Sequence, residues 1–202
     1  MHPYALALAP ALWSDRVSRT LRAIILVLAG TALLTISAKV KVWQEPVPIT
    51  LQTLAVMLIS AAYGSRLAVA TVLAYLAEGA LGLPVFANTP PMVAGLSYFL
   101  GTTGGFLIGF IPLALIVGLA ADRGWDRYVV RLFVAMVAAD FVVFALGFIW
   151  LAWFAALAKG GNGIGVDKAF AFGVQPFIIA DLLKIALAAL FVPASWGLID
   201  RR

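Results

Sequence analysis

The chain has 202 residues, 64% of them hydrophobic and only 11% charged, whereas a soluble domain carries about 25% charged residues. The mean hydropathy of +1.06 agrees, so the chain reads as a polytopic membrane protein; its net charge of +5 sits at helix ends, as topology signals do, and argues against a nucleic-acid partner. With no cysteine and His2 as the only histidine, disulfides, thiolate catalysis and thiolate or histidine metal clusters are excluded.

Residues 1–20 form a short lead. Ala5 to Trp13 is apolar but too short to span, and suits the membrane interface. A first helix is predicted over about 21–38. Basic residues, an apolar core and Ile36-Ser37-Ala38 also fit a signal peptide, but the apolar region is long for one. The later helix count works with this helix retained. Its small residues Ala29, Gly30, Thr31, Ala32, Thr35 and Ala38 leave a smooth surface for close packing, within the chain or against a partner.

Residues 39–49 are a polar link in which Pro46 and Pro48 exclude a regular helix. The helix predicted over about 50–63 is short for a bilayer that needs about 20 residues, so it must tilt, start below the surface or be shielded. A turn at Gly64-Ser65 leads to a helix over about 67–81 with Tyr75 and Glu78. Residues 82–95 then carry three prolines, two glycines and no charge. Irregular backbone at membrane depth survives only where protein buries it or a cavity adjoins it. This stretch reads as a lid or wall over a binding cavity; a passive interfacial loop is the alternative.

A helix over about 96–121 opens with Gly101-Thr102-Thr103-Gly104-Gly105, which permits close backbone approach or a kink. It is no phosphate loop, because no Lys-Ser/Thr follows. After a polar turn, a helix is predicted over about 129–157 with Asp140 in its middle. A glycine-rich loop over 159–172 precedes the closing helix, about 174–197. Six spans put both termini on one side. Arg16, Arg19, Arg22, Arg66, Arg123, Arg127, Arg131, Arg201 and Arg202 fall on that side, against Lys39, Lys41, Lys159 and Lys168 on the other. The expected fold is therefore an all-α six-transmembrane-helix bundle, one integral domain over 1–202, with both termini cytoplasmic.

Four ionisable residues lie within the spans: Glu78, Asp140, Asp181 and Lys184. On insertion scales each charge costs about 2.5–3.5 kcal/mol at a helix centre. Asp181 and Lys184 stand three apart and share a face. They are either a self-satisfying ion pair or a polar site for a small molecule with donors and acceptors, such as a urea or amide. Glu78 and Asp140 read as structural, or as proton-coupling groups. Gln52 and Thr50 are satisfied by neighbouring helices or by a ligand. No Ser/His, Cys/His or metal set supports an enzyme.

Four runs resemble motifs of the BioY family: Pro46 to Val56 (PVPITLQTLAV), Gly82 to Ala87 (GLPVFA), Gly104 to Phe110 (GGFLIGF) and Asp181-Leu182-Leu183-Lys184. They stand in the family's order and span nearly the whole membrane core. Thr102 and Ala180 depart from it, standing where proline and glycine are usual, and Asn88-Thr89-Pro90-Pro91 replaces a glycine-richer loop. The resemblance implies the biotin-binding S component of an energy-coupling factor (ECF) importer in the bacterial cytoplasmic membrane. It implies partners, a transmembrane coupling protein and two ATPases; ATP would be used only there, and no cofactor is expected in this chain. Helix 1 would meet the coupling protein through Ala29, Gly30, Ala32 and Ala38. Asp181 would accept from the ureido N–H groups, and Lys184 would donate to the ureido carbonyl or the tail carboxylate. Asn88 and Gln52 would add polar contacts, and Phe86, Tyr75 and Trp43 would cover the rings. A stand-alone secondary biotin transporter is the alternative, and a homo-oligomer is compatible with either.

Overall fold

The computed structural model describes residues 18–43, 46–92, 94–157 and 160–199, with the backbone alone described at 43 and 197–199. Helix α1 is Arg19–Lys39, capped by the Ser18 hydroxyl, which accepts from the Leu21 amide. A small antiparallel hairpin follows, β1 Lys41–Trp43 and β2 Ile49–Thr50. Then come α2 Gln52–Tyr63, α3 Ser65–Ala80, the short α4 Leu96–Leu100, α5 Gly104–Asp122 and a 3₁₀ turn, Trp125–Arg127. Helix α6, Val129–Ile149, runs on as a π segment, Trp150–Phe154; α7 is Val166–Gly173 and α8 is Phe177–Ile199.

Four helical stretches are long and apolar enough to cross a membrane: 19–39, 104–122, 129–154 and 177–196. Helices α2 and α3 have 12 and 16 residues. At 1.5 Å per residue they cover roughly 18 and 24 Å of a core about 30 Å thick. The chain is a mostly helical, multi-pass membrane protein.

Helix α5 is central and α1 peripheral: 61% of the α5 span is buried, against 28% for α1. Glycine lets α5 lie close to its neighbours. A Cβ at Gly118 would sit 2.5 Å from the Ser65 Cα, and one at Gly109 would sit 3.0 Å from the Val143 Cα. Asp122, at the end of α5, accepts from both the amide and hydroxyl of Ser65, at 3.1 and 2.5 Å, and so caps the first turn of α3. In α8 the buried positions are 177, 181, 184, 185, 188, 189, 192 and 196. That is one helical stripe, with apolar residues on the opposite, lipid-facing side.

The expected helix boundaries need correcting in several places. The helix expected over 96–121 is interrupted at 101–103, where Gly101 turns extended and Thr102 donates to the Pro46 carbonyl at 2.7 Å. A Cβ at Gly104 would clash with the Phe99 carbonyl, so the glycine cluster serves a chain crossing there. The helix expected over 129–157 leaves α geometry at Trp150 and ends at Phe154, closed by the Ala155 amide donating to the Trp150 carbonyl. The loop expected over 159–172 contains α7, and α8 begins at Phe177 after a turn, not at 174. The irregular link over 39–49 holds the hairpin.

Candidate functional site

A pocket opens among the hairpin, the 81–98 segment and helices α2, α5, α6 and α8. It encloses about 540 Å³ between its atoms, mouth included, of which only about 50 Å³ admits the centre of a water molecule. Its roof is Val47, Pro48, Ala87 and Tyr98, and its apolar walls are Phe106, Leu107, Phe110, Val143, Phe144 and Phe177. Phe177 lies parallel to Phe106 (6.3 Å between centroids) and edge-on to Phe144 (6.0 Å).

The polar floor comes from α8 and the start of α2. Asp181 and Lys184 are both buried, and the Lys184 ammonium donates to Asp181 Oδ1 at 2.5 Å. Thr53 closes a triangle: its hydroxyl donates to Asp181 Oδ1 at 3.1 Å and accepts from Lys184 at 3.1 Å. The third ammonium N–H has no acceptor among the described residues. Gln52, also lining the pocket, spends one amide N–H on the Tyr75 hydroxyl at 2.8 Å; Tyr75 in turn donates to the Val85 carbonyl at 3.0 Å. Thr50 donates to Gln52 Oε1 at 3.3 Å. The floor thus presents a carboxylate, an ammonium, a hydroxyl and an amide to a space walled by aromatic rings. Such a site binds a small apolar ring system that carries both donors and acceptors.

The structure brings three of the expected site residues into this pocket, Asp181, Lys184 and Gln52. Phe86 and Tyr75 do not line it, a correction with a clear cause. Phe86 is wholly buried, stacked on Tyr98 at 4.7 Å and edge-on to Tyr75 and Phe99. Its ring fills the notch that Gly79 leaves, where a Cβ would lie 2.0 Å from it. The Tyr75 hydroxyl is used up inside the wall. Asn88 does not line the pocket either: its side-chain oxygen accepts from Lys41 at 3.1 Å, and its backbone N–H donates to the Tyr98 hydroxyl at 3.3 Å. The side chain of Trp43 lies outside what the structure describes.

Two lysines read only as topology signals hold the pocket wall. Lys39 donates to the carbonyls of Pro84 (2.7 Å), Phe86 (2.6 Å) and Thr89. Lys41 donates to the Ala87 carbonyl at 3.1 Å. A segment rich in proline has carbonyls without matching N–H donors, and two adjacent ammonium groups supply them. That excess of acceptors is the sequence signal that points to Lys39 and Lys41.

The small residues of α1 divide. Ala29 and Ala32 are exposed, whereas Gly30 and Ala38 are buried. A Cβ at Gly30 would sit 2.4 Å from Thr71 Cγ2, so Gly30 serves the α1–α3 contact and not a partner face.

The family model described as "BioY family" matches residues 11–201. The chain belongs to the BioY family. It is 36% identical over 172 residues to the "Probable biotin transporter BioY" of Pyrococcus horikoshii, covering 85% of this chain and 94% of that one. The "Biotin transporter BioY" of Thermotoga maritima is 34% identical over 160 residues, 79% and 87% of the two chains. That of Rhodobacter capsulatus is 39% identical over 149 residues, 71% and 76%. These BioY relatives are named as transporters, not enzymes. The fold is that of the solved "S-component for biotin from an ECF-type ABC transporter", with TM-score 0.73 at 21% identity over 90% of this chain and 93% of that one. Within the BioY frame, Asp181, Lys184 and Gln52 fall in motif runs, while Phe144 and Phe177 fall outside them.

Proposed function

We propose that the chain captures biotin in the pocket above Asp181 and Lys184, as the substrate-binding subunit of an ATP-driven ECF importer. The observation that carries the reading is the buried Asp181–Lys184–Thr53 triangle at the foot of an aromatic pocket. Family relatives named biotin transporters supply the ligand class. The ureido N–H groups donate to Asp181, the Lys184 ammonium donates to a ligand oxygen, and the fused rings lie among Phe106, Phe144 and Phe177. Analogues without the ureido groups leave buried polar atoms unpaired and are rejected on that ground.

The fine architecture belongs to the same proposal. All of 1–202 forms one integral domain of six spans, with α2 and α3 as the two short ones. Both termini face the cytoplasm, and the chain sits in the bacterial cytoplasmic membrane. Partners are a transmembrane coupling protein, met by the exposed face of α1 around Ala29 and Ala32, and ATPases that alone use ATP. No cofactor is needed in this chain. Space for only a few water molecules means the roof yields to admit a bicyclic ligand.

Calorimetric titration of the purified chain with biotin tests the reading. Saturable binding that is lost in Asp181→Asn is the expected result. A chain that takes up no biotin, or a variant that binds as wild type, overturns it.

A further inference from the structure

Asp140 stands in the middle of α6, 6% exposed, and its Oδ1 has no hydrogen-bond partner. A buried carboxylate oxygen without a donor is uncommon and asks for an explanation. Two pins fix its place. At one end of the α6–α8 pair, Phe144 meets Phe177. At the other, Trp196 donates to Asp126 at 2.6 Å, just before α6 begins. The helices therefore run antiparallel.

From the Phe144–Phe177 level, Asp140 lies four residues down α6 and Asp181 four residues down α8, about 6 Å in each case at 1.5 Å per residue. Lys184 lies about 4.5 Å deeper by the same rise. Asp140 thus stands level with the Asp181–Lys184 turn, and both residues act on it electrostatically. Two carboxylates stand near one ammonium, and Asp181 is the one in ion-pair contact with it. Asp181 Oδ1 takes both the Lys184 and the Thr53 donors, while one ammonium N–H and Asp140 Oδ1 are left over.

We propose that Asp140 is a positioning residue: it is the counter-charge to which the Lys184 ammonium turns when a ligand's N–H groups occupy Asp181. In the empty pocket Lys184 sits on the acceptor the ligand needs. A ligand donor at Asp181 competes with it. The lysine stem, with four rotatable carbons, moves its head a few ångström at low cost. An acceptor waiting across the α6–α8 contact keeps the ammonium paired as it moves, so the ion pair opens without stranding a charge. Glu78 has no such part: it is half-buried near the end of α3.

The inference rests on the reading that Asp181 receives the ligand, and the test separates the two. The full chain is purified as wild type, Asp140→Asn, Lys184→Met and the double variant, and titrated with biotin. Melting is followed without ligand and with millimolar biotin, which reads affinities too weak to titrate. In Asp140→Asn we expect biotin affinity to fall ~10-fold or more, the scale of one charged hydrogen bond. Its melting temperature without biotin stays the same or rises, because a neutral isostere replaces an unpaired carboxylate. In the Lys184→Met background the same change has no further effect on affinity, because there is no ammonium left to position. A purely structural role would instead lower melting in both backgrounds. Asp140→Asn binding as wild type, or factors that multiply in the double variant, overturns the inference while leaving the biotin reading intact. No biotin binding by wild type overturns the reading itself and the inference with it.

Discussion

Asp181 and Lys184 admit two roles, a structural ion pair or a ligand site, and one variant series separates them. Lys184→Met leaves Asp181, 1% exposed, with only the Thr53 hydroxyl at 3.1 Å as a partner. Removing one member of a buried pair costs about 3–5 kcal/mol. The double variant Asp181→Asn, Lys184→Met is neutral and nearly isosteric. Replacing a whole buried pair with uncharged groups is often neutral or stabilising, so most of the lost stability returns.

Affinity follows a different rule. Each charged hydrogen bond to ligand contributes about 1.5–3 kcal/mol. Losing both gives about 3–6 kcal/mol, a fall in affinity of about 150- to 20,000-fold. Thermal melting in detergent and biotin titration, run on wild type, Asp181→Asn, Lys184→Met and the double variant, form the cycle. The expected pattern is a melting temperature that drops in Lys184→Met and recovers in the double variant, with biotin affinity lowered in Lys184→Met and lowered further in the double variant. A double variant that holds biotin within about 3-fold of wild type would refute the site, since the pair would then matter only to the fold.

Three other expectations follow from single contacts. Lys39→Met strips a donor from three carbonyls of the pocket wall; amide exchange at Val85 to Thr89 should quicken ~10-fold or more and biotin release should speed up, and unchanged exchange would show that Lys39 does not hold the wall. In α1, Gly30→Leu should unfold the α1–α3 contact, where even a Cβ meets Thr71 at 2.4 Å, while Ala32→Leu on the exposed face should leave melting and biotin binding intact and weaken co-purification with a coupling protein. Asp126 lies between spans, and burial pushes its carboxyl above the ordinary 3.8 although Trp196 donates to it. A raised value in the fold means its contribution is greatest below pH 3.8 and is lost as pH rises through the folded value. Asp126→Asn should therefore gain melting temperature relative to wild type between pH 4 and pH 7, and a relative loss would contradict the assignment.

The helices were legible because apolar runs and their breakers stand out in such a chain. What escaped were close contacts onto backbone carbonyls. The break at 101–103 brings Gly104 against the Phe99 carbonyl, and the π segment opens at Trp150, whose indole donates to the Gly101 carbonyl at 2.9 Å. Neither contact has a local signature. Asp181, Lys184 and Gln52 were legible as polar residues in apolar helices. Their aromatic neighbours were not, since the chain has 13 phenylalanines and only helix register separates Phe177, on the Asp181 stripe, from Phe86, packed into the wall. Asn88 looked free to meet a ligand because its neighbour in space, Lys41, is 47 positions away in sequence.

The lysines of the wall and the lysine of the floor obey a common rule. Backbone that leaves helix geometry near the membrane interior must find partners inside the protein. The 84–89 segment does so through Lys39, Lys41 and the Tyr75 hydroxyl. At the floor of the pocket it is a buried side chain, Asp181, that Lys184 and Thr53 satisfy. In each place a flexible ammonium, with three donors and no acceptor, adds hydrogen bonds to buried oxygens: the carbonyls of Pro84, Phe86 and Thr89 in the wall, and Asp181 Oδ1 at the floor. Ammonium groups held this way can be drawn off by a better acceptor without breaking a helix.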